Sequence, residues 1–257
     1  MAIEENHPAI SPPKMNIILW RYMDIPSFVY LLAKESLTFV RADLFEDKFE
    51  GTFPKLTASM IDEDSRKEIE KGVLDKRYWN FSEMLNKDNK SMYLSCWCQE
   101  NHEMVHMWKI YSKESGIAIQ TTYNDLKNSI LTKEGVYPTQ INYIDFKTDF
   151  LDWKNNTMTS YTIKRKEYKS ESEFRMLISH PRIIEDKLLL LKTSGEISTE
   201  RERLYLKTPI INCEVDIKKL ISKVHLSPYA PKWYYEVVTE LLNKYGLGSV
   251  KIIQSDL

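Results

Sequence analysis

Tyr168-Lys169-Ser170-Glu171-Ser172-Glu173-Phe174-Arg175, running on into Met176-Leu177-Ile178-Ser179, is the stretch that decides how this chain is read. Phe174, Met176 and Ile178 fall on alternate positions, which predicts a strand over Phe174–Ser179 with one face in a core. Carried backward, the alternation sets Glu171 and Glu173 side by side at the strand edge. Two carboxylates held together repel, and at least one titrates unusually. Such a pair suits acid–base work or the grip of a sugar hydroxyl. Arg175 falls on the same face as Glu173 and offers it a neutralising partner.

Working outward, the pattern mixes short strands with helices of unequal length. Asn16–Tyr22 reads as a strand. Asp24 caps a helix over Pro26–Lys34, with proline in its first turn and Phe28, Leu31 and Leu32 at core-facing spacing. Further strands are predicted at Ser36–Val40, Ser91–Trp97, Gly116–Thr122, Thr139–Tyr143, Leu188–Lys192, Thr208–Glu214, Lys223–Leu226 and Val250–Gln254. Helices are predicted at Asn101–Lys113, Tyr123–Leu131, Trp153–Lys169, Ile217–Ser222 and Pro231–Tyr245. The absence of regular β-α-β alternation implies an α+β fold: a mixed, mostly antiparallel sheet core with flanking helices. Residues 1–14 read as a disordered lead. Residues 15–257 read as a single domain with a helical insertion near 56–89.

Composition narrows the function classes. A formal charge of −1 argues against a broadly basic nucleic-acid platform, though not against a local groove. Three cysteines, an odd number, argue for a reducing cytoplasm over a disulfide framework. The polar, proline-containing start is unlike a signal peptide, and no apolar run reaches membrane-spanning length, so no membrane partner is expected. Only seven glycines are present, and no Gly-x-Gly-x-x-Gly or Gly-Lys-Ser/Thr motif occurs, which disfavours a phosphate loop.

Two patterns invite a metal. Arg41-x-Asp43-x-x-x-Asp47-x-x-Glu50 brings Asp43, Asp47 and Glu50 within eight residues, enough oxygen for a divalent cation. The surrounding arginines favour a salt-bridged loop instead. Cys96-x-Cys98-x-x-x-His102-x-x-x-His106 offers zinc-type ligands, but Cys-x-Cys is a poor spacing for structural zinc, so buried thiols are the preferred reading. Lys164-Arg165-Lys166 can meet phosphates or form a solvated face.

Arg21, Ser95 and Glu173 occur in that order on predicted strands, with Glu171 two residues before the last. This order resembles the Arg–Ser–Glu signature of the ADP-ribosyltransferase superfamily, over about Ile17 to Ser179. The family's Ser-Thr-Ser run is replaced by Leu94-Ser95-Cys96. The resemblance implies a fold of that type, NAD as substrate, and a protein or nucleic-acid acceptor, or water. It implies that Arg21 grips NAD and Ser95 orients the nicotinamide ribose. Glu173 is then the catalytic carboxylate and Glu171 steers the acceptor. Tyr22, Arg41, Trp108 and Tyr111 are further candidate cofactor-binding residues. A toxin or phage-defence role follows from the style of such proteins.

A second resemblance spans nearly the whole chain. Leu19-Trp20-Arg21-Tyr22, Arg41-x-Asp43-x-Phe45-x-Asp47-x-x-Glu50-Gly51, Ser95-Cys96-Trp97, Met107-Trp108-x-x-Tyr111, Glu171-x-Glu173-x-Arg175 and Ser227-Pro228-x-x-Pro231-x-Trp233 look like an uncharacterised bacterial domain family. It implies one domain and groups these polar residues into one site or one polar core. Two further classes stay open. One is a metal-dependent nucleic-acid-processing enzyme using Asp43, Asp47, Glu50 and Glu173. The other is a non-catalytic binding module whose arginines and glutamates fix the fold.

Overall fold

The computed structural model describes residues 3–86, 91–111, 115–153, 156–179 and 208–257. The predicted strand Leu188–Lys192 lies outside them. The fold is α+β, with a mixed, mostly antiparallel sheet and helices packed around it.

β1 (Ile18–Asp24) leads into α1 (Ile25–Lys34) and then β2 (Ser36–Arg41). The Asp24 side chain accepts from the Ser27 N–H at 2.9 Å, which satisfies one free donor of the first turn. Phe28, Leu31 and Leu32 give α1 one buried face, and Glu35 ends it in the left-handed conformation. The insertion consists of α2 (Lys55–Glu70), a short 3-10 turn and α3 (Phe81–Asn86). Asp62 on α2 receives both the N–H and the hydroxyl of Ser82, which ties the two helices together.

β3 (Met92–Gln99), α4 (Val105–Tyr111), β4 (Gly116–Thr122) and α5 (Tyr123–Ser129) follow, then β5 (Val136–Gln140) and β6 (Asn142–Ile144). The predicted helix over Trp153–Lys169 does not form. A 3-10 turn, β7 (Ile163–Arg165) and a second 3-10 turn occupy that span. Thr159, Thr162 and Ser160 hydroxyls bond nearby carbonyls there, the competition with helix bonding that these residues favour outside regular helices. β8 (Glu173–Ser179) begins one residue before its predicted start. β9 (Ile210–Glu214), α6 (Ile217–Leu220), β10 (Lys223–Leu226), α7 (Tyr234–Lys244) and β11 (Lys251–Gln254) complete the described chain.

The main sheet has nine strands, ordered β11-β10-β4-β1-β3-β2-β9, with β8 on the other edge of β3 and β5 beyond β8. Alternation sorts the side chains. Leu19, Met23, Tyr93, Trp97, Phe174, Met176 and Ile178 face the main core under α1, α5 and α7. Trp20, Tyr22 and Cys98 face the other way, against α4, and Leu94 and Leu177 join a smaller cluster on that side.

The lead is ordered, contrary to expectation, from Ile3 onward. Ile3 bridges Val136, Gln140 donates its N–H to the Ser11 carbonyl, and Ala9 and Ile10 are buried. Glu5 meets Lys127 and the Tyr123 hydroxyl. Proline and polar residues hid a segment in which Ile3, Ala9 and Ile10 pack inward. No described helix is long and apolar enough to cross a membrane. A chain starting at Met15 should lose about 3 kcal/mol in a urea melt, the worth of burying an isoleucine and its neighbours. An unchanged midpoint would return the lead to disorder.

Candidate functional site

β3 has one neighbour too many. On one edge it pairs with β8 along its length. On the other, β1 pairs only at Leu19↔Gln99 and Trp20↔Cys98, and β2 only at Val40↔Leu94 and Arg41↔Tyr93. Continued inward by two residues, the two registers would set Tyr22 and Thr38 both opposite Cys96. Both strands therefore peel away, and the sheet forks. The Gln99 N–H bonds the Ser172 carbonyl on the β8 side. By alternation, the main-chain N–H and C=O of Cys96 point into the fork, where no described strand meets them.

Arg21 spans this gap. One terminal nitrogen donates to Ser95 Oγ at 2.8 Å and the other to the Thr38 carbonyl at 3.1 Å. Its guanidinium lies 5.6 Å from the centre of the Trp97 ring. Burial pushes the group down to about 10, so it stays charged at neutral pH. Among the described residues no carboxylate pairs with it.

A cleft of about 700 Å³ opens at the fork, lined by Arg21, Tyr22, Tyr30, Cys96, Trp97, Tyr111, Glu171 and Glu173 among others. Of the candidate residues, five line it: Arg21, Tyr22, Tyr111, Glu171 and Glu173. Ser95 stands behind Arg21. Trp108 is fully buried, edge-on to Tyr22 at 4.9 Å and donating to Glu103 at 3.0 Å, so it supports the wall without forming it. Arg41 is outside the cleft, forked onto Asp43.

Arg21, Ser95 and Glu173 do not converge on one face. Arg21 and Ser95 share the face of Leu19 and Trp97, whereas Glu173 and Arg175 are on the opposite face with Leu177. Glu171 and Glu173 are not strand neighbours either. Ser172 adopts a left-handed conformation between them, and the strand starts at Glu173. The two carboxylates nevertheless meet at Lys164, whose ammonium is 2.6 Å from Glu171 and 2.9 Å from Glu173.

Arg175 is completely buried, and each of its five N–H groups has a partner. Two go to Glu50 at 2.6 and 2.8 Å, two to Glu173 at 2.6 and 3.2 Å, and one to the Tyr161 carbonyl at 2.9 Å. Gly51, at positive φ, lets the loop bearing Glu50 lie against the Tyr161 ring, where a side chain would collide. Burial alone raises the Glu173 carboxyl, but Arg175 and then Lys164 outweigh it and hold the group at about 2. The Cys96 thiol is pushed well up by burial and then by Glu173. Arg175 holds Glu173 Oε1, and Arg175 and Lys164 together hold Oε2. Glu171 differs. Its Oε2 meets Lys164, and its Oε1 has no partner among the described residues.

Three acids of the 41–50 loop are each held by an arginine: Asp43 by Arg41, Asp47 by Arg165, Glu50 by Arg175. Lys164, Arg165 and Lys166 are likewise spent on Glu171 and Glu173, on Asp47, and on Asp145 with Asp149. Among the described residues no three His, Cys, Asp or Glu side chains converge as metal ligands. Cys96 and Cys98 share a face, but Cys98 Sγ packs on Met104 Sδ and His102 is exposed. Tyr30 and the Cys96 main chain escaped sequence reasoning. A fork between strands distant in sequence leaves no local signal.

Arg175→Met should cost about 3–5 kcal/mol in chemical denaturation, because it strands two buried carboxylates. Glu173 has a folded value below its ordinary one of about 4.5, so its stabilisation is present above that pH and is lost as pH falls towards 2. Wild type should therefore lose more stability between pH 4.5 and 2 than Glu173→Gln. Parallel curves for the two proteins would contradict the pairing.

No family model, no curated protein and no solved structure matches this chain, so the geometry of the fork carries the functional reading.

Proposed function

We propose that the fork cleft binds NAD and that the protein cleaves the nicotinamide–ribose bond, passing ADP-ribose to a protein or nucleic-acid acceptor, or to water. One observation carries this reading: a desolvated guanidinium without a carboxylate, Arg21, shares a cleft with a carboxylate that has a free oxygen, Glu171. The ligand suited to both bears an anionic group and develops positive charge elsewhere. A pyrophosphate on Arg21 supplies the missing counter-charge. Tyr22, Tyr30, Trp97 and Tyr111 provide rings for stacking on a nicotinamide or adenine. The Cys96 N–H and C=O offer the donor and acceptor that a carboxamide needs.

The bond from the ribose carbon to nicotinamide breaks with its electron pair leaving on nicotinamide. A lone pair of the acceptor forms the new bond and the acceptor's proton is released. Positive charge builds on the sugar between these events, and an ionised carboxylate beside it lowers the barrier. Glu171 takes that role here in place of Glu173, whose two oxygens are both engaged by Arg175 and Lys164. Glu173 becomes the anchor that holds Lys164, and through it Glu171.

The test is nicotinamide release from NAD by purified protein with cell lysate, with and without EDTA. Glu171→Gln should reduce release at least about 100-fold, the scale for losing one electrostatic stabiliser, with little change in melting temperature. Glu173→Gln should lower the melting temperature markedly. Release under no condition, or release undiminished in Glu171→Gln, would sink the proposal. Release abolished only by EDTA would favour the metal-dependent class.

A further inference from the structure

A second cleft, of about 670 Å³, opens where the start of β1, the end of β3 and the end of β5 come together. Its chemistry is the reverse of the first. Its lining has four side-chain amides (Asn16, Gln99, Asn101 and Gln140), the carboxylate-bearing Glu100, and no lysine, arginine or histidine. Ile17, Ile18 and Ile141 add apolar surface. A phosphate or carboxylate would meet no lysine, arginine or histidine on that lining and the like charge of Glu100.

The polar groups keep unused capacity on both sides of the hydrogen-bond ledger. Gln140 Nε2 donates to Gln99 Oε1 at 2.7 Å, which orients the pair and leaves the Gln99 amino group and the Gln140 carbonyl without a described partner. Ser172 Oγ donates to Glu100 Oε1 at 2.6 Å, leaving Oε2 open. Trp20 Nε1 fixes the Glu100 backbone from behind at 2.8 Å. The Tyr143 hydroxyl accepts from the Glu173 N–H at 2.7 Å and retains its own proton, which burial makes hard to lose. Asn101 makes no described hydrogen bond. Donors and acceptors interleaved over an apolar floor match a ring that carries several hydroxyls. Each hydroxyl both gives and takes a bond, and the ring's C–H face lies on apolar side chains.

We propose that this second cleft is a binding site for a neutral carbohydrate, divided from the cleft at the fork by Glu173, which borders both, and independent of any reaction there. Gln99, Glu100, Asn101, Gln140 and Tyr143 are the recognising side chains. Inorganic phosphate and sugar phosphates are rejected by Glu100.

Saturation-transfer NMR on the full chain tests this with ribose, glucose, galactose and N-acetylglucosamine, against glucose 6-phosphate and inorganic phosphate. At least one neutral sugar should bind, and its phosphorylated form should bind at least about tenfold more weakly. Asn101→Ala, at an exposed position, and Gln140→Ala should each weaken the sugar about tenfold, the worth of one or two hydrogen bonds. Arg21→Ala, in the first cleft, should leave it unchanged. Failure of every neutral sugar, equal binding of phosphate and sugar, or loss with Arg21→Ala but not with Asn101→Ala would each overturn the assignment. Because NAD turnover is not measured, neither result bears on the reading of the first cleft.

Discussion

The Arg175 guanidinium, with all five of its N–H groups bonded in the dark interior, is the constraint on which the polar half of this protein rests. It draws the 41–50 loop, the 3-10 turn ending at Tyr161 and the first residue of β8 to one point. A buried arginine has a large desolvation cost, and only complete bonding offsets it. Each partner must then be delivered accurately. Gly51 delivers Glu50, the strand start delivers Glu173, and β7 delivers Lys164. Three carboxylates, Glu50, Glu171 and Glu173, share two cations there. Glu50 drifts upward in consequence, because burial prevails over Arg175 at that site.

This network also decides which groups remain available for chemistry. A carboxylate whose lone pairs are taken cannot hold a ligand, so the most buried glutamate is the least free. Glu171, one step nearer solvent and joined by a single contact, has what Glu173 lacks. The same reasoning separates the arginines. Arg41, Arg165 and Arg175 face carboxylates, whereas Arg21 faces a serine hydroxyl and a carbonyl. Neutral partners satisfy its hydrogen bonds and leave its charge uncancelled.

Much of the fold was legible in the sequence where periodicity was local. The Asp24 cap, the apolar face of α1, and the strands at Gly116–Thr122 and Lys223–Leu226 follow from residues within a turn or two of one another. The pairing of Arg175 with Glu173 was legible for the same reason, since both fall on one strand face. Legibility failed where long-range contacts override local preference. Residues 157–171 carry charges at helical spacing, yet the main chain of β7 pairs with β6, Lys164 reaches Glu173 on β8 and Arg165 reaches Asp47 in the 41–50 loop. The Arg–Ser–Glu order was misleading in geometry, because order along a chain does not specify the face of a sheet. The second cleft left no trace in any motif, for its amides come from three strand ends.

The fork at Cys96 has a consequence for how this protein can change. Its opening does not depend on the size of any side chain; it exists because two strands compete for one position on a third. Closing it would require β1 or β2 to surrender pairs elsewhere, which no single side-chain replacement accomplishes. Substitutions around the fork therefore alter what enters, not whether there is room to enter. Such a hole is inherited with the topology, and it leaves the surrounding residues at liberty to diverge in the compounds they admit.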